Sequence, residues 1–168
     1  MFVAHIYKLY NIIKQNDEFT KNKVLNLILI INSICFILYT ANLFYRLPKF
    51  GELIQIAVSI LCIISVVCVR MNKHLRVSYY CLSFIYFLQS FSFLLMSFTW
   101  KLIIGPDLSL YVIKEMDLTS KLDFKVFNLE FLFNTFGNSE NWVVGLNFFH
   151  LIIFLYLIKD LRVIKQNK

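Results

Sequence analysis

Four long apolar runs constrain this chain more than any other feature. Residues 24–45, 77–100 and 142–158 carry no Asp, Glu, Lys or Arg, and residues 52–69 carry only Glu52, at their first position. A bilayer core about 30 Å thick needs roughly 20 apolar helical residues to cross it. In lipid each segment must satisfy its own backbone amides, which favours helices over open strands. Composition points the same way: of 168 residues, 59% are hydrophobic and 16% charged, with a mean hydropathy of +0.68. Soluble domains average roughly 45–50% and about 25%. The expected fold is therefore an all-α integral membrane protein. Its four transmembrane helices would form an antiparallel, left-handed bundle in a single membrane domain spanning residues 1–168.

Basic residues give the expected orientation. Both termini and the link between the second and third spans together hold eleven Lys and Arg against three acids, whereas the remaining links hold six against seven. The positive-inside rule then places both chain ends in the cytoplasm or mitochondrial matrix. Residues 101–141 become a long outer loop. Tyr45, Trp100 and Trp142 fall where an outer aromatic belt is expected. Richness in residues with AT-rich codons, among them Phe, Ile, Asn and Lys, fits an AT-rich bacterium, a mobile genetic element or a mitochondrial genome, and the expected location is a bacterial plasma membrane or a mitochondrial inner membrane. Residues 1–23 lack the charged start, short apolar core and small-residue cleavage site of a signal peptide, so the first span should remain in place. Val3, Ile6, Tyr7, Tyr10 and Ile13 share one helical face, which predicts an amphipathic segment on the inner leaflet.

Polar residues inside the runs mark the seams. Asn26, Ser33 and Thr40 recur every seven residues, as do Ser83, Ser90 and Ser97. This period suits shallow left-handed packing. Glu52, Gln55, Ser59 and Cys62 share a face, Gln89 lies deep in the third run, and Asn147 and His150 are close to one turn apart. Intramembrane polar groups face the protein interior, so His150, Glu52, Gln55, Gln89 and Asn147 are the candidate gate or pathway residues. Only Glu52 and His150 among them titrate. Interhelical hydrogen bonding accounts for the same pattern without conduction.

The outer segment is too apolar for a free linker. Gly105-Pro106 reads as a turn ending the third helix, and residues 136–139 as a turn into the fourth. Residues 122–126 alternate as a strand would, although Leu122, Val126, Leu129 and Phe133 also fit a helix. Phe124, Phe127, Phe131 and Phe133 need a cover, which makes them the candidate docking surface.

Catalytic chemistry is sparse. The four cysteines, Cys35, Cys62, Cys68 and Cys81, form no CxxC pair. The sequence contains no Gly-rich phosphate loop, GxSxG or HExxH. Glu115 and Asp117 have no neighbouring His. No cofactor or metal is expected, and the basic balance belongs to membrane topology rather than to nucleic acid. Glu52 in Gly-Glu-Leu-Ile-Gln-Ile-Ala-Val-Ser and Gln89 in Phe-Leu-Gln-Ser-Phe-Ser-Phe-Leu-Leu resemble the paired membrane carboxylates of the NADH dehydrogenase chain 4L family. The second carboxylate is an amide here, and the long loop and fourth span lie outside that pattern, so no proton relay carries over. The sequence thus predicts a non-catalytic membrane subunit that senses, anchors or docks with protein partners or in a homo-oligomer, for example in a bacterial defence or immunity operon. A small oligomeric ion or proton channel and a respiratory-chain subunit are the alternatives.

Overall fold

The computed structural model describes residues 2–43, 45, 47–95, 98–114, 117–134 and 142–166, with backbone alone at 2–20, 43, 134, 165 and 166. Helix α1 (Phe2–Leu43) runs unbroken through the N-terminal segment and the first apolar run. Helix α2 (Phe50–Arg70) follows antiparallel. Pro48 ends the link, and the Glu52 carboxylate accepts a hydrogen bond from the Lys49 N–H at 2.9 Å, one half of a capping box.

Three polar pairs fix how α1 and α2 align. The Tyr39 hydroxyl donates to Gln55 Oε1, the Ser59 hydroxyl donates to Cys35 Sγ at 3.1 Å, and the Arg70 guanidinium donates to Asn26 Oδ1. A step of four down α1, from Tyr39 to Cys35, matches a step of four up α2, from Gln55 to Ser59. This is the signature of two antiparallel helices whose side chains meet level by level. Gln55 and Ser59 are buried in this seam, while Ile30, Ile34, Ile37, Leu53, Leu61 and Ile64 face outward.

The link to the third helix is tight. Asn72 and His74 adopt left-handed backbone with φ of 53° and 47°, and the Lys73 N–H closes onto the Cys68 carbonyl at 2.9 Å. Helix α3 (Leu75–Ser90) has 16 residues. At 1.5 Å per residue that is about 24 Å, short of a bilayer core. Helix α4 (Phe148–Gln166) carries Lys159, Asp160 and Arg162 in its second half. Leu25, Ile28, Cys62, Val66, Tyr79, Leu82, Tyr86, Ile153 and Leu157 form the core these four helices share.

Between α3 and α4 the chain builds a sheet. Strands β1 (Phe91–Leu95), β2 (Phe98–Lys114), β3 (Leu118–Asn134) and β4 (Trp142–Asn147) pair antiparallel throughout. Strand β1 pairs with the start of β2 (Ser92 opposite Lys101) and with β4 (Ser92 opposite Gly145). Strand β4 also pairs with the end of β2 (Ser109 opposite Asn147). These three strands therefore close a ring. A ring of three antiparallel contacts requires β2 to change direction between its halves. It does so where its register against β3 slips, between Gly105 and Asp107. Gly105 has φ +112°, and a Cβ there would lie 2.6 Å from Ile31 Cγ2. Only glycine allows both this bend and the close approach of β2 to α1. Leu102 and Ile104 of β2 then pack with Ile31, Cys35 and Tyr39 of α1 in a second core.

This architecture overturns the all-α four-helix membrane bundle. The described residues form a mixed α/β fold in which four helices support a four-stranded antiparallel sheet. Residues 77–100 and 142–158 are not continuous spans, because β1 and the start of β2 occupy 91–100 and β4 occupies 142–147. Among the described residues two helical segments, Lys21–Asn42 and Phe50–Arg70, are long and apolar enough to cross a membrane. The expected chain of outer-loop turns also changes: Gly105-Pro106 is a bulge within β2, and residues 101–141 contribute most of β2 and all of β3. Ser97, Glu115, residues 136–139 and the side chains of the N-terminal amphipathic face lie outside the described residues.

Candidate functional site

The bend in β2 creates a local problem. Near Gly105, β2 passes from pairing with β1 to pairing with β4, and on that side the Ile104 peptide has no strand partner. Buried backbone polar groups must find partners elsewhere. Here helix side chains supply them. The Ile104 N–H donates to Gln89 Oε1 of α3 at 3.1 Å, and the Ile104 carbonyl accepts from His150 Nε2 of α4 at 3.2 Å. Because a carbonyl only accepts, His150 carries its proton on Nε2. Its ring stacks on Tyr86 at 5.6 Å between centroids, and Phe149 meets it edge-on. His150 is fully buried. Burial pushes its imidazole pKa down to about 4, against weaker upward pulls from the Ile104 carbonyl and the Asp107 carboxylate.

Asp107, just past the bulge, is also fully buried. Its carboxylate accepts from the Ser109 hydroxyl, from Asn128 Nδ2 at 2.8 Å and from Asn147 Nδ2 at 2.9 Å. Asn147 Oδ1 in turn accepts from the His150 N–H at 3.3 Å and so holds the first turn of α4. One carboxylate thereby ties β2, β3, β4 and the start of α4 together.

The network continues along β3. Asn128 Nδ2 also reaches Glu130 Oε2 at 3.2 Å, and Glu130 pairs with Lys101 at 2.7 Å. Burial alone would raise the Glu130 carboxyl, but Lys101 and Asn128 outweigh it and hold it below the ordinary carboxylate range. Burial alone would lower the Lys101 ammonium, yet Glu130 and Tyr111 outweigh it and hold it above the ordinary lysine range. The Lys101 ammonium lies 5.3 Å from the Tyr111 ring centre. The pair and Tyr111 border a cleft of about 190 Å³, and Phe87, Leu88, Phe91, Phe93, Phe98 and Trp100 line a separate apolar cavity of about 450 Å³.

The structure brings together three of the five polar residues singled out in the sequence: Gln89, Asn147 and His150 converge on the β2 bend. Gln55 lies apart, in the α1–α2 seam, and Glu52 caps α2. Asp107, Ser109 and Asn128 were missed. A signal was present, since Asp107 is a lone carboxylate in the apolar run Leu-Ile-Ile-Gly-Pro-Asp-Leu-Ser-Leu. Among the described residues no cluster of His, Cys, Asp and Glu could hold a metal ion.

The aromatic surface candidates divide between two settings. Phe127 and Phe131 are partly buried against the second core, and Phe131 meets Trp100 edge-on. Phe124 and Phe133 are exposed, together with Leu118, Leu122 and Val126. All lie on β3, which pairs with β2 alone among the described strands. Its other edge presents unpaired peptide groups beside apolar side chains, a template for strand addition.

No protein family matches the chain, and comparison with curated proteins and with solved structures finds no match.

Proposed function

We propose that this chain is a non-catalytic membrane subunit that α1 and α2 anchor in the bilayer while β3 docks a protein partner. One observation carries the reading: an open-edged strand with exposed apolar side chains is attached to a helical hairpin that buries Asn32, Gln55, Ser59 and Ser65 while leaving Ile30, Ile34, Ile37, Leu53, Leu61 and Ile64 exposed. Buried polar groups behind an exposed apolar surface suit a hydrocarbon surround. The anchoring membrane would be a bacterial plasma membrane or a mitochondrial inner membrane. The Met71–His74 turn would face the cytoplasm or matrix, because Arg70, Lys73 and Arg76 cluster there.

The buried polar junction supports a structural role for Asp107 and His150. Three side-chain donors occupy the Asp107 carboxylate, and the His150 Nε2 proton is committed to a backbone carbonyl. The test is a photo-crosslinking amino acid at Phe124 in native membranes. Capture of a defined protein partner, together with resistance of the chain to carbonate extraction, is the expected outcome. Release by carbonate, or no capture from any exposed β3 position, would contradict it.

A further inference from the structure

We propose that the partner of β3 is a second copy of this chain, added antiparallel so that Leu122 of one copy lies opposite Leu122 of the other. The proposal rests on the reading of β3 as a docking edge and names its occupant. Residues 118–126 are the part of β3 that stands clear of the helices, since Phe127, Leu129 and Phe131 pack into the second core. A two-fold pairing that uses the whole free stretch centres on its midpoint, Leu122.

That register is self-complementary. On one face Leu118 meets Val126 of the other copy twice, and the two Leu122 side chains meet on the axis. On the other face Lys121 meets Asp123 of the other copy twice. Opposite charges placed directly across an antiparallel pair are favourable, and like charges are not. Centring on Asp123 instead would set Asp123 against Asp123 and Lys121 against Lys125. Centring on Lys121 would set the two Lys121 against each other. Centring on Phe124 would push the added strand along residues 127–130, where β3 turns into the core. Lys121 is exposed and makes no ion pair among the described residues, and the Asp123 contact with Lys125 in the same chain is 3.5 Å long and half-exposed.

Two measurements on the full chain in detergent micelles test this. With the four native cysteines replaced by alanine, Leu122→Cys should give a disulfide-linked dimer on mild oxidation. Phe124→Cys should not, because the register separates the two 124 positions by four residues along the strand, about 13 Å. With native cysteines retained, Lys121→Asp and Asp123→Lys should each weaken the dimer about ten-fold, and the double variant should restore it. A monomeric Leu122→Cys chain, or a double variant no tighter than the singles, would overturn the self-pairing. If that chain stays monomeric while a crosslinker at Phe124 captures a different protein, the docking role stands and the second copy is the wrong occupant. If neither forms a product, both readings fail.

Discussion

Acidification should unlock the β2 bend through His150. The imidazole is buried and neutral in the folded chain, with its pKa near 4, against about 6.5 for an exposed histidine. A depressed folded pKa means that the unfolded chain binds the proton more readily. The stability this group contributes is therefore fully present above pH 6.5 and is lost as pH falls through 4. A separation of about 2.5 units corresponds to about 3 kcal/mol, which for a chain of this size is a fall of roughly 6–12 °C in Tm. The assay is thermal unfolding in micelles, followed by circular dichroism from pH 7 to pH 4. A His150→Gln variant serves as the reference: it is less stable at pH 7 but lacks the histidine titration. Subtracting its pH profile removes the carboxylate contribution. Equal slopes in the two proteins between pH 6.5 and 4 would refute the assignment of His150 as a buried neutral donor to Ile104.

Three further experiments probe the junction and the network that continues from it. Gly105→Ala should destabilise by about 1–3 kcal/mol from backbone conformation alone, and Ile31→Ala in the same chain should recover part of that loss by removing the methyl 2.6 Å from the new Cβ; denaturant titration measures both. Asp107→Leu leaves the donors of Ser109, Asn128 and Asn147 without their acceptor and should cost about 3 kcal/mol or more, with amide exchange rising in β4 and in the first turn of α4. The Lys101–Glu130 pair should stabilise the sheet only between two limits. Its contribution is lost as pH falls through the lowered carboxyl pKa of Glu130 and, at the other end, as pH rises through the raised ammonium pKa of Lys101. A Lys101→Met/Glu130→Leu variant whose pH profile matches the parent at both extremes would contradict this.

What the sequence disclosed, and what it hid, follows from how apolar runs are read. Runs 24–45 and 52–69 correspond to α1 and α2, and the seam residues Gln55 and Ser59 were visible from helical spacing. Run 77–100 was misleading because its length outweighed a local cue. Phe91-Ser92-Phe93 and Phe98-Thr99-Trp100-Lys101 alternate with period two and are rich in aromatic residues, as strands are. No charged or turn-forming residue marks the boundary between the helical and strand portions, which conceals the switch at Ser90. Residues 142–147 posed the same problem, with Trp-Val-Val-Gly preceding the helical part of the run.

The polar candidates show a related limit. Gln89, Asn147 and His150 stood out because each is costly in an apolar surround, but their common purpose depends on the backbone of Ile104. An unsatisfied peptide exists only once β2 bends, and the bend depends on ring closure among β1, β2 and β4. No sequence period encodes that closure. The strand character of 122–126 was one of two open alternatives, and the structure places these residues in β3.

The central claim is that the α1–α2 hairpin crosses a bilayer and separates the Met71–His74 turn from the link between the two helices at residues 47–49. Single cysteines at Asn72 and Leu47, each in a chain without its native cysteines, can be exposed to a membrane-impermeant maleimide in intact cells and again after permeabilisation. Labelling at 47 in intact cells, with 72 labelled only after permeabilisation, is the predicted result. Labelling of both positions in intact cells would contradict the claim.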